Sequence, residues 1–220
     1  IQELSDLGVT HVRLDFGFSA AETVELSQCF TVVLNASTIT RDEVRAWRSA
    51  GADLTRFAAC HNFYPKPFTG LSLDELRRIN ERLSCQGLAV MAFVPGDGRK
   101  RGPVGEGLPT LEAHRFRSDK LALNMLELAY AGTDTVLVGD PGITESAWRG
   151  MACLSAGYIE LRCDLAPGYE FLRGQVHHDR VDSSAHVFRS VESRGKLAPV
   201  APPPDAGAGA PRPAGTLFVS

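Results

Sequence analysis

Residues 54–94 read LTRFAACHNFYPKPFTGLSLDELRRINERLSCQGLAVMAFV. The stretch opens and closes on short apolar runs, Leu54–Phe63 and Leu88–Val94, of strand length and composition. Between them the period changes. Ser72–Cys85 places Leu73, Leu76, Ile79 and Leu83 on one helical face, and Ser72 with Glu75 forms the Ser-x-x-Glu signature of a helix start. A strand, a helix and a second strand joined by short loops form a parallel βαβ unit.

The same alternation extends both ways. Strands are expected at Val9–Phe16 and Thr31–Ser37 before this stretch, and at Thr133–Asp140 and Tyr158–Asp164 after it. Helices are expected over Ser19–Ser27, Thr40–Ala50, Ser118–Ala131 and Ile143–Ala156, the first two opened by the capping pairs Ser19/Glu22 and Thr40/Glu43. Six strands in succession, with no Gly-rich dinucleotide loop, predict an α/β fold: a partial (β/α)₈ barrel of about six βα units with the first two absent. Its first and last strands should then be unable to meet in an eight-strand closure. Residues 1–8 read as the last turns of a helix stopped at Gly8, so the chain is expected to be the interior of a longer one.

The barrel-like portion covers residues 1–166, and a polar segment rich in His, Arg and Ser follows over 167–197. Residues 198–220 form a tail dominated by Pro, Ala and Gly. Over 198–215 neither helix nor strand is expected, because Pro removes ladder donors and Gly and Ala offer little area to bury. The 220 residues are 44% hydrophobic with a net charge of −3, which gives no reason to expect a nucleic-acid partner or an anionic membrane surface. No apolar run approaches bilayer length. The five cysteines, Cys29, Cys60, Cys85, Cys153 and Cys163, have no CxxC spacing. They read as reduced, mostly buried thiols of a cytoplasmic protein rather than disulfides or a zinc site. Neither a metal nor another cofactor is called for by any motif.

In a parallel barrel the chemistry gathers at the C-terminal ends of the strands. Period-two alternation turns Arg13 and Asp15 to the same side of the first strand. For Arg13 a structural pair with Asp15 competes with a ligand role, whereas Asp15 at the strand end reads as functional. Asn35, His61, Asn62 and Tyr64 stand at the next two strand ends, where amides, an imidazole and an aromatic suit a sugar. The loop over 96–114 is long and carries Arg99, Lys100 and Arg101, whose charge could seat a phosphate or simply be solvated. Glu106 sits in its Gly-rich turn. Glu112 reads as a capping partner of Thr110 at the helix entered by His114 and Arg115. Asp140 follows the fifth strand. Asp15, Glu106 and Asp140 are therefore the candidate carboxyl groups of a glycosidase, in which one acts as acid and another as base or nucleophile. Asp15, Asn35, His61, Asn62, Glu106 and Asp140 should face one cavity, with two carboxyl groups roughly 5–10 Å apart. Glu106 is the expected acid, since a Gly-rich flap closing over it would desolvate it, and Asp15 the expected base or nucleophile.

Several motifs carry a family resemblance: RLDFGFS (13–19), LNAST (34–38), HNFYPKPFTGLS (61–72), AFVPGD (92–97), RGPVGEGLPTLEAHR (101–115) and VLVGD (136–140). Together they resemble the bacterial 6-phospho-N-acetylmuramidase family of TIM-barrel proteins, and HHDRVDSSAHVFRSVESR (177–194) resembles the start of that family's cyclophilin-like C-terminal domain. The resemblance implies hydrolysis of the β-1,4 bond of 6-phospho-N-acetylmuramyl-N-acetylglucosamine during peptidoglycan recycling inside the cell. It implies a phosphorylated amino-sugar disaccharide as the partner, held by Arg13, Asn35, His61, Asn62, Tyr64, Arg101, His114 and Arg115. Competing expectations are a non-catalytic carbohydrate-binding protein and another phosphosugar barrel enzyme. A Schiff-base aldolase would need a lysine at a strand end, and none stands there.

Overall fold

The computed structural model describes residues 1–192 together with Gly209, Gly215 and Thr216. The expectation for 198–215 therefore falls outside the described residues, those two glycines apart. The chain divides into two compact units, Ile1–Glu160 and Leu161–Ser220.

The first unit holds a five-stranded, wholly parallel sheet in the order β1-β2-β3-β4-β5. Its strands are β1 (His11–Leu14), β2 (Thr31–Asn35), β3 (Phe57–Cys60), β4 (Ala89–Val94) and β5 (Thr135–Val138). The helices are α1 (Gln2–Asp6), α2 (Ala20–Cys29), α3 (Arg41–Ser49), α4 (Leu73–Ser84), α5 (Glu112–Arg115), α6 (Leu121–Tyr130) and α7 (Glu145–Ser155). Each strand pairs with the strands next to it in sequence, so the order never reverses and the sheet has no topological switch point.

The expected capping chemistry starts the helices. Ser19 and Thr40 each accept the N3 amide while Glu22 and Glu43 return a bond to the cap backbone. At α4 the box is half made: Ser72 accepts from the Glu75 amide, but the Glu75 carboxylate turns to Arg78, 2.5 Å away. All helix packing falls on one face of the sheet. Leu14, Val32, Phe57, Ala59 and Val90 meet Val24 of α2, Val44 and Trp47 of α3, and Ile79 and Leu83 of α4. Ala92 and Val94 meet Leu76, Leu121, Leu128 and Met151. Trp47 stacks on Phe57 with ring centroids 5.5 Å apart.

The other face carries a smaller cluster built from strand residues alone: Val33, Ala58 and Cys60, with Met91, Phe93 and Leu137 half-buried beside them. The register makes these rows. Arg13 pairs with Val33, Val33 with Ala58, Asn35 with Cys60, and Cys60 with Met91. This helix-free face is where a barrel would keep its interior.

Two expectations are corrected. Tyr158–Asp164 forms no strand. Gly157, at φ +87, stops the chain after α7, and Tyr158, Ile159 and Leu161 are all exposed. With no apolar area buried there, nothing offsets the entropy of ordering a ladder. The cysteines are not mostly buried, since only Cys60 and Cys153 are.

The second unit, over its described residues, has one short 3₁₀ turn, Glu170–Leu172, and one antiparallel bridge, Asp179 with Ser190. The Asp179 carboxylate accepts the amides of Arg180 and Arg189 at 2.9 and 3.0 Å. Glu192 accepts the His178 amide at 2.9 Å, and with the His178 ring this holds its carboxyl at about 2. No helix among the described residues is long and apolar enough to cross a membrane.

Candidate functional site

Arg13 stands on the helix-free face of β1 and reaches over β2. Its guanidinium donates to Asp15 at 3.3 Å and to Asn62 Oδ1 at 2.7 Å, joining the ends of the first and third strands. Asn35 lies at the end of β2, between them in the sheet, and its side-chain oxygen accepts the Ser37 amide at 3.0 Å, capping the turn. Beside this network Phe63 meets Phe93 edge-on, with centroids 5.3 Å apart, and the Arg101 guanidinium lies 5.8 Å from the Phe63 ring centre. Cys60 sits under Arg13, and burial raises its thiol against the lowering effect of that charge. The rim of this face thus combines an Arg13–Asp15 ion pair, amides and an aromatic surface, with Asp15 exposed.

The loop after β4 is built on Asp140. This buried carboxylate accepts three backbone N–H groups: Gly96 at 3.0 Å, Leu108 at 3.1 Å and Arg101 at 2.9 Å. Close backbone approach completes the arrangement, since a Cβ on Gly96 would collide with the Gly142 carbonyl. Lys100 turns inward and donates to the Gly96 carbonyl, which removes it from the basic triplet. Asp97 accepts the Thr144 amide and hydroxyl at 2.8 and 2.5 Å, at the start of α7. Asp140 is thereby committed to holding the loop, and the expectation that it serves as a reacting carboxyl does not fit its three amide partners.

Glu112 and Arg115 join this loop to the one after β3. Glu112 is not the capping partner of Thr110, whose hydroxyl instead donates to the Asn62 carbonyl and accepts the Phe93 amide. The Glu112 carboxylate receives Arg115 through two bonds, 2.8 and 3.0 Å, and the amides of Phe68 and Gly70, each at 2.8 Å. The Arg115 bonds, then these amides, outweigh burial and bring its carboxyl down to about 2. The remaining Arg115 N–H groups reach four carbonyls, Tyr64, Lys66, Glu106 and Gly107, between 2.7 and 3.1 Å, so that the two hydrogens of one terminal nitrogen are shared among Tyr64, Lys66 and Glu112. A guanidinium has five N–H groups, and all of Arg115's are engaged. It has none to offer a substrate, which corrects its expected binding role.

His61 and His114 are fully buried. The His61 Nε2–H donates at 2.7 Å to Asn80 Oδ1, whose amide nitrogen donates to Ala131 and Thr133. That fixes the Asn80 orientation and with it the histidine tautomer. His114 Nε2–H donates to Glu127 at 2.8 Å. Burial pushes both imidazoles down, so both are neutral at pH 7. His61 thus lies in the helix layer against α4, opposite Asn62, and neither imidazole joins the rim network. Tyr64 is half-buried and held by its backbone, which donates to the Pro109 carbonyl at 2.9 Å. Glu106 is exposed, held by its carbonyl, and its carboxylate has no partner among the described residues. A shallow cleft of about 200 Å³ lies elsewhere, between α6 and α7, and includes none of the candidate residues. The shared cavity expected for six residues is therefore replaced by an open rim carrying Arg13, Asp15, Asn35 and Asn62. No group of three or more His, Cys, Asp or Glu is placed to hold a metal among the described residues.

The family model described as 6-phospho-N-acetylmuramidase, N-terminal, matches residues 1–153. The crystal structure of a conserved Enterococcus faecalis protein of unknown function is similar at TM-score 0.73 and 35% identity, covering 86% of this chain and 54% of that one. An uncharacterized B. cereus protein is similar at TM-score 0.65 and 26% identity, covering 88% of this chain and 58% of that one. The chain thus spans little more than half the length of either. No curated protein matches it.

Proposed function

This chain belongs to the 6-phospho-N-acetylmuramidase N-terminal family, and from that premise we propose that it forms part of a glycoside hydrolase acting on 6-phospho-N-acetylmuramyl-N-acetylglucosamine. The cleavage would belong to cytoplasmic recycling of peptidoglycan fragments. The five-stranded sheet of unreversed order is then a partial (β/α)₈ barrel, and residues 167–197 open a cyclophilin-like domain.

One observation carries the reading. Of the three candidate carboxylates, Asp140 is consumed by backbone amides, while Asp15, held with Asn62 by Arg13, and Glu106, in the loop after β4, remain exposed. That division leaves two carboxyl groups for the two roles a glycosidase requires. Glu106 is assigned as the acid that protonates the leaving oxygen, and Asp15, oriented by Arg13, as base or nucleophile. Asn35 and Asn62 supply hydrogen bonds to sugar hydroxyls, Phe63 an apolar surface, and Arg101 a guanidinium for the phosphate.

Turnover of a chromogenic 6-phospho-N-acetylmuramyl glycoside by the chain tests the proposal. Release that disappears in Asp15→Asn supports it. Binding of the phosphorylated disaccharide without release would instead favour a carbohydrate-binding protein.

A further inference from the structure

Phe68 adopts φ +66, and among the described residues it is the one non-glycine residue with positive φ. A bulky side chain in that region is strained, and such strain persists where the surroundings enforce it and function uses it. The surroundings here are explicit. Pro67 precedes Phe68, the Phe68 amide donates to Glu112 at 2.8 Å, and the Thr69 hydroxyl donates to the Lys66 carbonyl at 2.6 Å. The result is not a packed ring. Phe68 is 85% exposed, and its companion Phe116, with its centroid 6.2 Å away and its plane tilted by 40°, is 66% exposed. Two large apolar rings are thus held in water by a conformation glycine would adopt more easily.

We infer that Phe68 and Phe116 form a stacking platform for a neutral pyranose ring, on the leaving-group side of the bond to be cleaved. Tilted aromatic rings offer π faces to the C–H face of a sugar, and two rings at this separation cover about one pyranose. Position supports the same occupant. The platform lies on the segments that follow β3 and α5, and one ion pair ties it to the proposed acid: Glu112 holds the Phe68 amide while its partner Arg115 holds the Glu106 carbonyl. The sugar whose oxygen takes the proton from Glu106 is the one on the leaving-group side, and the tie to these rings runs through the Glu106 backbone. The inference rests on the hydrolase reading for the side of the bond, but not for sugar binding itself.

The test uses the 220-residue chain and the variants Phe68→Gly and Phe116→Ala. Binding of N,N′-diacetylchitobiose is measured by calorimetry, thermal midpoints by scanning calorimetry, and kinetics with the 6-phospho disaccharide. Both variants should weaken chitobiose binding and raise KM by about tenfold with kcat within about twofold, as loss of an aromatic contact predicts. Phe68→Gly should leave the thermal midpoint equal or higher, because glycine relieves the strained φ. Chitobiose binding lost in the variants, with no hydrolysis by any form, would keep the platform and remove the hydrolase. Hydrolysis with KM and chitobiose binding unchanged in both variants would remove the platform and keep the hydrolase. Wild type that fails to bind chitobiose, or self-association abolished by the variants without any effect on sugar binding, would also overturn the platform.

Discussion

Replacing Glu112 by Gln should remove a defined part of the acid sensitivity of folding. The carboxyl of Glu112 is brought from an ordinary 4.5 to about 2 by Arg115 and by the Phe68 and Gly70 amides, and its side chain is 18% exposed. A depressed carboxyl favours the folded state above the unfolded value, and that contribution is lost as pH falls through the folded one. The window therefore runs from about pH 4.5 down to about 2. At about 1.4 kcal/mol per unit, the full shift corresponds to roughly 3 kcal/mol of stability at neutral pH. Urea unfolding of wild type and Glu112→Gln, repeated from pH 7 to pH 2, measures it. The two curves should lie roughly 3 kcal/mol apart at pH 7 and converge toward pH 2. Other low carboxyls, such as Asp179 and Glu192, titrate equally in both proteins and cancel in the difference. Parallel curves over the whole range would refute the argument, since they would mean that the ion pair with Arg115 confers nothing that protonation can remove.

Other expectations follow from the same geometry. Glu106→Gln should slow turnover of the disaccharide far more than that of an activated aryl glycoside; equal losses would take Glu106 out of the acid role. Asp140→Ala leaves the Gly96, Arg101 and Leu108 amides without their acceptor, so stability should fall by about 2–4 kcal/mol and those amides should exchange rapidly by NMR. Protection retained at all three would sink that account. Asn80→Ala removes the acceptor of the His61 Nε2–H and should cost about 1–3 kcal/mol at pH 7. Because both buried imidazoles lie below their ordinary 6.5, their contribution to stability is complete above that value and falls away below it. A denaturation midpoint independent of pH between 6.5 and 5 would contradict this.

The order of elements was readable because it depends on local signals. Alternation located β1 to β5, and the Ser19 and Thr40 boxes located two helix starts almost to the residue. Tyr158–Asp164 shows the limit, since alternation is necessary for a strand but burial decides whether one forms. Parity also contained a warning about the site. Cys60 and Asn62 share one face of β3 and its continuation, so His61 had to take the other, where Asn80 waits. Asp140, Glu112 and Arg115 were beyond such reasoning. Their partners are backbone groups of loops 8 to 51 positions away, apart from the pair's own bonds, and no side-chain pattern encodes the path of a loop.

The loop after β4 is anchored at its two bases and exposed at its tip. Asp140 grips Gly96, Arg101 and Leu108, and Arg115 grips Glu106 and Gly107, whereas residues 102–105 are exposed and receive neither grip. Variation is therefore most admissible over 102–104, short of Gly105, whose φ of +78 and amide bond to the Arg101 carbonyl close the turn. A designer could graft a different tip there without disturbing the frame, and divergence among relatives would accumulate there first. The tip is the part of the molecule open to new specificities, while the anchors make each new tip arrive beside the same Glu106.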